Sequence, residues 1–321
     1  MQKKIIILGG NGILGSALAN KLSSQKNTQV VVVDIVINKI KNVNKNITFI
    51  QLDIEKATSK KLEQILKGSS VVFYKIGKPG NPSESTDFNK CWNFISINSL
   101  GFWKIVKVAE KLNIKKLIVA SSITAISDLN KNGPYPENTM SDTPPNFYGL
   151  SKAILEDISN YKNLFNKLKI LVIRYPRIYF REKNNFLIKF AKQITIKNNL
   201  KIYGNLNKYI DLIHLDDAVN FALKCIDYKG SKNIFHVTYN KCLKIEQMLR
   251  YLSNRINSKK KLKLLKMSFN PPRESDKAFL KDIYSSKTMK IKFKYNVYKI
   301  IDDAIDFAII SINDLDKKYN N

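Results

Sequence analysis

KIIIL (residues 4–8) runs straight into GGNGILG (9–15), and how this junction is read decides the fold. A short β-branched run stops on glycines, and the amphipathic stretch ILGSALANKLSSQ (13–25) begins at once. Strand, tight turn and helix therefore follow one another without a linker. Gly9, Gly12 and Gly15 stand in GxxGxxG spacing. In that context Gly9 suits a turn closed to side chains, Gly12 lets a pyrophosphate approach the backbone, and Gly15 lets the helix pack closely. The free N–H groups of the first helical turn, around Ile13 and Leu14, would then point at phosphate with the positive end of the helix dipole. The alternative is a tight turn that holds no ligand.

Working outward, QVVVVD (29–34) ends a second apolar run on Asp34, about twenty residues past the glycines. A carboxylate there can accept hydrogen bonds from both hydroxyls of an adenosine ribose and would repel a 2′-phosphate, so it favours NAD over NADP. A turn or helix cap is the plainer reading of Asp34. A third run, ITFIQLD (47–53), ends on Asp53, with Ile54 behind it, placed for the adenine edge. SVVFYKI (70–76), KKLIVASS (115–122) and LKILVIRYP (168–176) continue the series, with helical stretches such as 99–113 and 146–166 between them. Continuous apolar strands separated by helices predict a doubly wound parallel α/β sheet of Rossmann type, covered on both faces. The regular part spans 1–177. A smaller α/β substrate domain is expected over 178–321, with the chain crossing back to the sheet near 205–235.

Composition limits the partners. The chain has 321 residues, 44% hydrophobic, with a formal net charge of +29. Nearly all the excess is lysine, with six arginines only, and it is scattered except in NSKKKLKLLK (257–266). Base-reading or stacking surfaces would want arginine and clustered aromatics, so no specific nucleic-acid partner is expected. A positive field that gathers phosphorylated small molecules fits better. No apolar stretch reaches the ~20 residues of a membrane span, and no signal peptide is read, so a cytoplasmic protein is expected. Cys91, Cys225 and Cys242 lack paired or metal-like spacing, and His214 and His236 lie far apart. Free thiols and no metal are the expectation.

NFYGLSKAILED (146–157) holds Tyr148 and Lys152 four residues apart, on one helix face. A phenol with its usual pKa of ~10 is a poor base, but a neighbouring ammonium and a cationic nicotinamide would favour its phenolate. Lys152 could also hold the nicotinamide ribose. Upstream, Ser122 ends a strand and offers a hydroxyl to orient the reacting oxygen. With these motifs together, and with SINSLGFWKIVKVAEKLNIKKLIVASSI (96–123), LVIRYPRIY (171–179) and DLIHLDDAVNFALKCI (211–226), the chain resembles an extended short-chain dehydrogenase/reductase of the NAD-dependent epimerase/dehydratase family. The resemblance covers nearly the whole chain. It implies Ser122, Tyr148 and Lys152 as the catalytic set, Asn98 reaching the cofactor from the start of its helix (a plain N-cap being the alternative), and Gly77, Tyr175 and Pro176 along the nicotinamide half. It also implies a homodimer formed through helices 94–112 and 147–166. The face carrying Phe102, Ile105, Val106 and Ala109 packs either on the sheet or on that partner.

Departures from the family pattern shape the functional expectation. Ser122 is followed by Ile123 and Thr124 where dehydratases carry Asp-Glu, so elimination lacks its acid and base. The arginine that commonly grips a diphosphate is Ile210, the usual Asn of NVYG is Arg177, and strand four ends on Lys75 with Lys78 close behind. Lys78, Thr124 and Arg177 are the expected substrate contacts, although Arg177 could equally be a solvated surface charge. The favoured expectation is NAD-dependent oxidation and reduction of a nucleotide-sugar hydroxyl, as in UDP-glucose 4-epimerase-like chemistry. A dehydrogenase of a non-nucleotide alcohol or ketone and a non-catalytic dinucleotide-binding protein are the alternatives.

Overall fold

A computed structural model describes residues 3–36, 46–78, 88–128, 131–165, 168–182, 184–197, 199–203, 205–256, 263–267 and 279–319. Residues 257–262 of the lysine run, and Arg273, lie outside them. Seven parallel strands form the central sheet: β1 (Lys3–Leu8), β2 (Thr28–Asp34), β3 (Ile47–Gln51), β4 (Val71–Tyr74), β5 (Lys116–Ser122), β6 (Lys169–Tyr175) and β11 (Ile234–His236). Their order is β11-β6-β5-β4-β1-β2-β3. The direction of winding reverses between β1 and β4, so a crevice opens there at the carboxyl ends of the strands.

Apart from the edge strand β3, whose Thr48 and Gln51 are exposed, the strands are largely buried, as their Val and Ile runs require. On one face Ile5, Ile7, Val30, Val32, Phe73 and Ile173 pack against α1 (Ile13–Ser23) and α7 (Leu215–Asp227). On the other, Ile6, Leu8, Val31 and Val72 meet α2 (Ser59–Leu66) and α4 (Gly101–Lys111). The α4 stripe Phe102, Ile105, Val106 and Ala109 is fully buried in that second core, so this face packs on the protein's own sheet. Helix α4 continues from α3 (Phe88–Phe94) through a π-helical turn, Ile95–Leu100, so its helix starts earlier than the sequence periodicity suggests.

Helix α5 (Phe147–Phe165) lies against β5 and β6 and against the 3₁₀ turn Ile123–Ala125. Beyond β6 come β7 (Arg177–Tyr179), α6 (Phe186–Lys197), β8 (Asn199–Tyr203), β9 (Tyr209–Ile210) and β10 (Leu212–His214). After α7 and β11 follow β12 (Leu243–Lys244), α8 (Ile245–Ile256), β13 (Lys263–Met267), α9 (Ser285–Thr288) and α10 (Val297–Tyr319). Short pairs β7–β10, β8–β13 and β9–β12 sit beside a separate core in which Leu187, Ile188, Met248, Leu252, Ile300 and Ile301 join α6, α8 and α10. The chain leaves this region to place α7 and β11 on the large sheet. It returns a second time: Tyr135 bridges Leu280, and the Glu137 carboxylate accepts the N–H groups of Ile283, Tyr284 and Ser285 where α9 begins.

Candidate active site

The glycine turn sits at the mouth of the crevice. Gly9 has φ +78°, and a Cβ there would lie 2.6 Å from the Ile76 nitrogen. At Gly15 a Cβ would lie 2.4 Å from the Gly9 carbonyl oxygen, so helix α1 can close on the turn only without a side chain. Gly10 is equally constrained, 2.6 Å from a Val32 methyl, a requirement that sequence spacing alone does not announce. Gly12 differs. Among the described residues its Cβ would approach nothing closer than 3.5 Å, and it stands as the N-cap of α1 without a side-chain cap of its own. The protein's own packing gives Gly12 no reason to be glycine, whereas a ligand drawn onto the backbone would.

Asp34 Oδ2 accepts the Asn11 backbone N–H at 2.8 Å, tying the turn to the end of β2. Around Asp34 two cavities adjoin. One, of about 160 Å³, is lined by Ile35, Asp53, Ile54, Tyr74, Ile76 and Ile97 as well as Asp34. The other, of about 400 Å³, runs from Gly9, Asn11 and Gly12 past Asp34 to Lys75, Gly77 and Lys78. Lys78, expected with the substrate, therefore lines the cleft of the glycine turn. Leu14 packs on the core, and Ile13 is exposed. Asn98 lies inside the π turn rather than at a helix start and is fully buried. Its Oδ1 accepts the Lys78 N–H at 2.9 Å and its amide donates to Ser151 at 2.9 Å, so it anchors the Gly77–Lys78 backbone to α5. A π turn adds a residue to the helical period, which is why periodicity could not locate it.

Ser122, Tyr148 and Lys152 come together. Ser122 Oγ lies 2.6 Å from the Thr124 hydroxyl. Burial raises the pKa of Tyr148, and a hydrogen bond with Ser122 acts the other way. Lys152, 3% exposed, donates to the Ala120 carbonyl at 3.0 Å and places its ammonium 6.0 Å from the centre of the Tyr148 ring. Burial lowers its pKa to about 8, partly offset by Glu156, so it is protonated at neutral pH. Glu156 itself is clamped by Arg174 at 2.6 Å and receives the Ser121 hydroxyl. What holds the set in place is Gly149: a Cβ there would lie 2.5 Å from the Thr124 carbonyl oxygen, so α5 rests directly on the turn that follows Ser122.

A third cavity, of about 220 Å³, opens on the far side of Ser122, lined by Thr124, Ser127, Pro176, Arg177, Lys208, Tyr209, Ile210 and Asp211. Pro176 thus faces this pocket, while Tyr175, 5% exposed, meets Lys75 across the cleft at 3.4 Å. Arg177 is exposed and stands 4.9 Å over the Phe186 ring. Asp211 is buried, which raises its pKa to about 7 against hydrogen bonds from the Leu280 N–H and Thr238. Lys208, Tyr209 and Asp211 were not expected from the sequence. They come from β9 and its neighbours, across the chain from Ser122, and no local spacing marks them. Among the described residues no group of three or more His, Cys, Asp or Glu could hold a metal, and no helix is long and apolar enough to cross a membrane.

Comparison with known proteins identifies the family and the fold. The NAD dependent epimerase/dehydratase family matches residues 5–238. A putative UDP-glucose 4-epimerase of Methanocaldococcus jannaschii is 24% identical over 237 residues, 70% of this chain and 74% of that protein. UDP-glucuronic acid 4-epimerase from Bacillus cereus, solved with UDP-glucuronic acid and NAD, superposes with a TM-score of 0.80 at 19% identity, covering 95% of this chain and 98% of that one. The NAD dependent NDP-hexosamine 5,6-dehydratase TunA gives 0.79 at 14% identity, covering 95% and 97%. At these identities the two structures show the fold, a Rossmann-type sheet with a smaller lobe. With the family's match extending from β1 past β11, the chain belongs to the NAD dependent epimerase/dehydratase family.

Proposed function

We propose that the protein is an NAD-dependent enzyme that oxidises and re-reduces a hydroxyl carbon of a nucleotide-activated sugar, with epimerisation as the net outcome. The observation that carries this reading is the meeting of Ser122, Tyr148 and Lys152 between two spaces: the cleft of the glycine turn and the pocket of Thr124, Arg177 and Lys208. The residues suit a dinucleotide. Gly12 leaves open the space that a Cβ would fill, as the N-cap of α1 it brings no side chain, and Asp34 lines the cleft, where it would receive a ribose diol. When bound, NAD accepts and returns the carbon-bound hydride.

The protein's own part is proton handling and positioning. Tyr148 takes the hydroxyl proton as the carbon is oxidised and gives it back on reduction. Ser122, steadied by Thr124, holds the same oxygen. The Lys152 ammonium, 6.0 Å from the centre of the phenol ring, favours the phenolate while the proton is away. With Ile123 and Thr124 after Ser122, the turn offers no carboxylate to drive elimination, which favours epimerisation over dehydration. Replacing Tyr148 by Phe should lower kcat by roughly 10²–10⁴-fold while leaving NAD binding intact; unchanged turnover would eliminate the mechanism.

A second reading, a non-nucleotide alcohol or ketone as substrate, draws on one observation. Ile210 contributes an uncharged wall to the pocket beside Arg177 and Lys208. Thermal-shift titration with UDP, GDP and dTDP separates the two, because a nucleotide-sugar enzyme gains stability from a nucleoside diphosphate by mass action.

A further inference from the structure

Lys75 is an unusual residue to find at the end of a central strand. It follows β4 and turns toward the same side as Phe73, where its ammonium lies 5.6 Å from the Phe73 ring centre and 5.3 Å from that of Tyr175. The ammonium donates to the Tyr175 hydroxyl at 3.4 Å. Among the described residues no carboxylate pairs with it. Lys75 is one of the residues lining the cleft of Gly9, Gly12 and Gly77.

We propose that Lys75 sets the oxidation state in which the nicotinamide cofactor is held: its ammonium, beside Tyr175, favours the uncharged reduced ring over the cationic oxidised one. The inference rests on the dinucleotide reading above, with Tyr175 on the nicotinamide half. Uptake of a hydride removes one positive charge from the ring. A fixed cation nearby, in a site with little water, therefore repels the oxidised form and is indifferent to the reduced one.

The groups facing Lys75 leave this charge uncompensated. Tyr175, on β6, has its phenol held neutral by burial. Cys225, on α7, has its thiol pushed up to about 12 by burial and is also neutral near pH 7. Lys152, on α5, is a second cation and lowers the affinity of Lys75 for its proton. Burial, with Lys152 adding to it, brings the Lys75 pKa down to about 7. Lys75 is charged below that value, so the preference for the reduced cofactor is strongest near pH 6 and fades as pH rises through 7.

The test is the ratio of dissociation constants for NAD⁺ and NADH, measured by fluorescence titration of the full chain at pH 6 and pH 8. Wild type, Lys75→Met and Lys75→Arg are compared, each checked for folding by circular dichroism. At pH 6, Lys75→Met should weaken the preference for NADH about tenfold, which is ~30 mV for a two-electron couple. Lys75→Arg should keep the wild-type ratio at pH 6 and hold it at pH 8, where the wild-type ratio has moved toward that of Lys75→Met. An unchanged ratio in Lys75→Met at pH 6 overturns the inference. So does a Lys75→Arg ratio that drifts with pH as the wild type's does, and this arm decides if the methionine variant fails to fold. Wild-type protein that binds neither dinucleotide overturns the functional reading together with the inference; normal binding with an insensitive ratio overturns the inference alone.

Discussion

At Gly15 a Cβ would meet the carbonyl oxygen of Gly9 at 2.4 Å and the Cα of Gly10 at 2.7 Å, whereas at Gly12 nothing stands closer than 3.5 Å. The two positions look alike in sequence but answer to different masters, one to the fold and one to the ligand. Alanine at Gly15 should push α1 off the turn and cost roughly 3 kcal/mol, because both obstacles are backbone. Alanine at Gly12 should cost at most ~1 kcal/mol, as a poorer N-cap than glycine. Gly12 has φ −71°, which alanine adopts without strain. The pair is checked by melting each variant with and without NAD: Gly15→Ala melts lower in both, and Gly12→Ala melts normally but loses most of its stabilisation by NAD. A Gly12→Ala protein stabilised as strongly as wild type would remove phosphate contact as the reason for that glycine. Asp34 is legible for a related reason, as a carboxylate closing an apolar strand, and it also accepts the Asn11 N–H of the turn. Asn98 is less so, since its two hydrogen bonds reach Lys78 and Ser151 across the sequence.

Between elements, the decisive contact is α5 against the turn after β5. Gly149→Ala would set a methyl 2.5 Å from the Thr124 carbonyl oxygen, and the helix must retreat, carrying Tyr148 away from Ser122. A stability loss of roughly 1–3 kcal/mol is expected, together with a fall in kcat larger than that of a surface variant of equal stability. Melting curves and turnover on the same preparations check both. Asp211 links β9 and β10 to the segment near Leu280 and to Thr238. Its folded pKa, about 7, lies above its ordinary value near 3.8, so the folded state holds the proton longer. Its contribution falls as pH rises from about 4 through 7. Asp211→Asn lacks that slope, so its Tm relative to wild type should climb between pH 5 and pH 8; a constant difference would mean that Asp211 is ionised throughout. Elements such as β1, β2 and α5 were readable because their apolar periods repeat along the chain. The π turn was not, because an inserted residue breaks the period. Nor was α9, at whose start Glu137 accepts the N–H groups of Ile283, Tyr284 and Ser285, a contact set by long-range polar pairing rather than by local pattern.

Across the whole molecule, the candidate set was legible because Tyr148 and Lys152 share one helix and Ser122 ends one strand, while the neighbouring pocket was not, because Arg177, Lys208 and Asp211 meet only after the smaller lobe returns. The outer surface carries a further expectation. The stripe Phe102, Ile105, Val106 and Ala109 is spent on the sheet, so a partner must use other residues. Trp92 and Leu100 on α3 and the π turn, and Phe147, Leu150, Tyr161 and Leu164 on α5, are exposed on adjoining helices, Leu164 by 77%. Large apolar side chains gathered in this way mark an association surface more often than a solvated one. We expect a homodimer in which these helices from two copies pack together, burying about 800 Å² on each partner. Light scattering at micromolar concentration should give twice the mass of one chain, and Leu100→Asp with Leu150→Asp should give the single mass. The two leucines are 49% and 37% exposed, so the doubly substituted chain keeps its sheet and its dinucleotide cleft. Retained NAD binding by the monomer separates loss of the partner from loss of the fold, and a wild-type chain that is monomeric at tens of micromolar would leave this apolar surface without the occupant assigned to it.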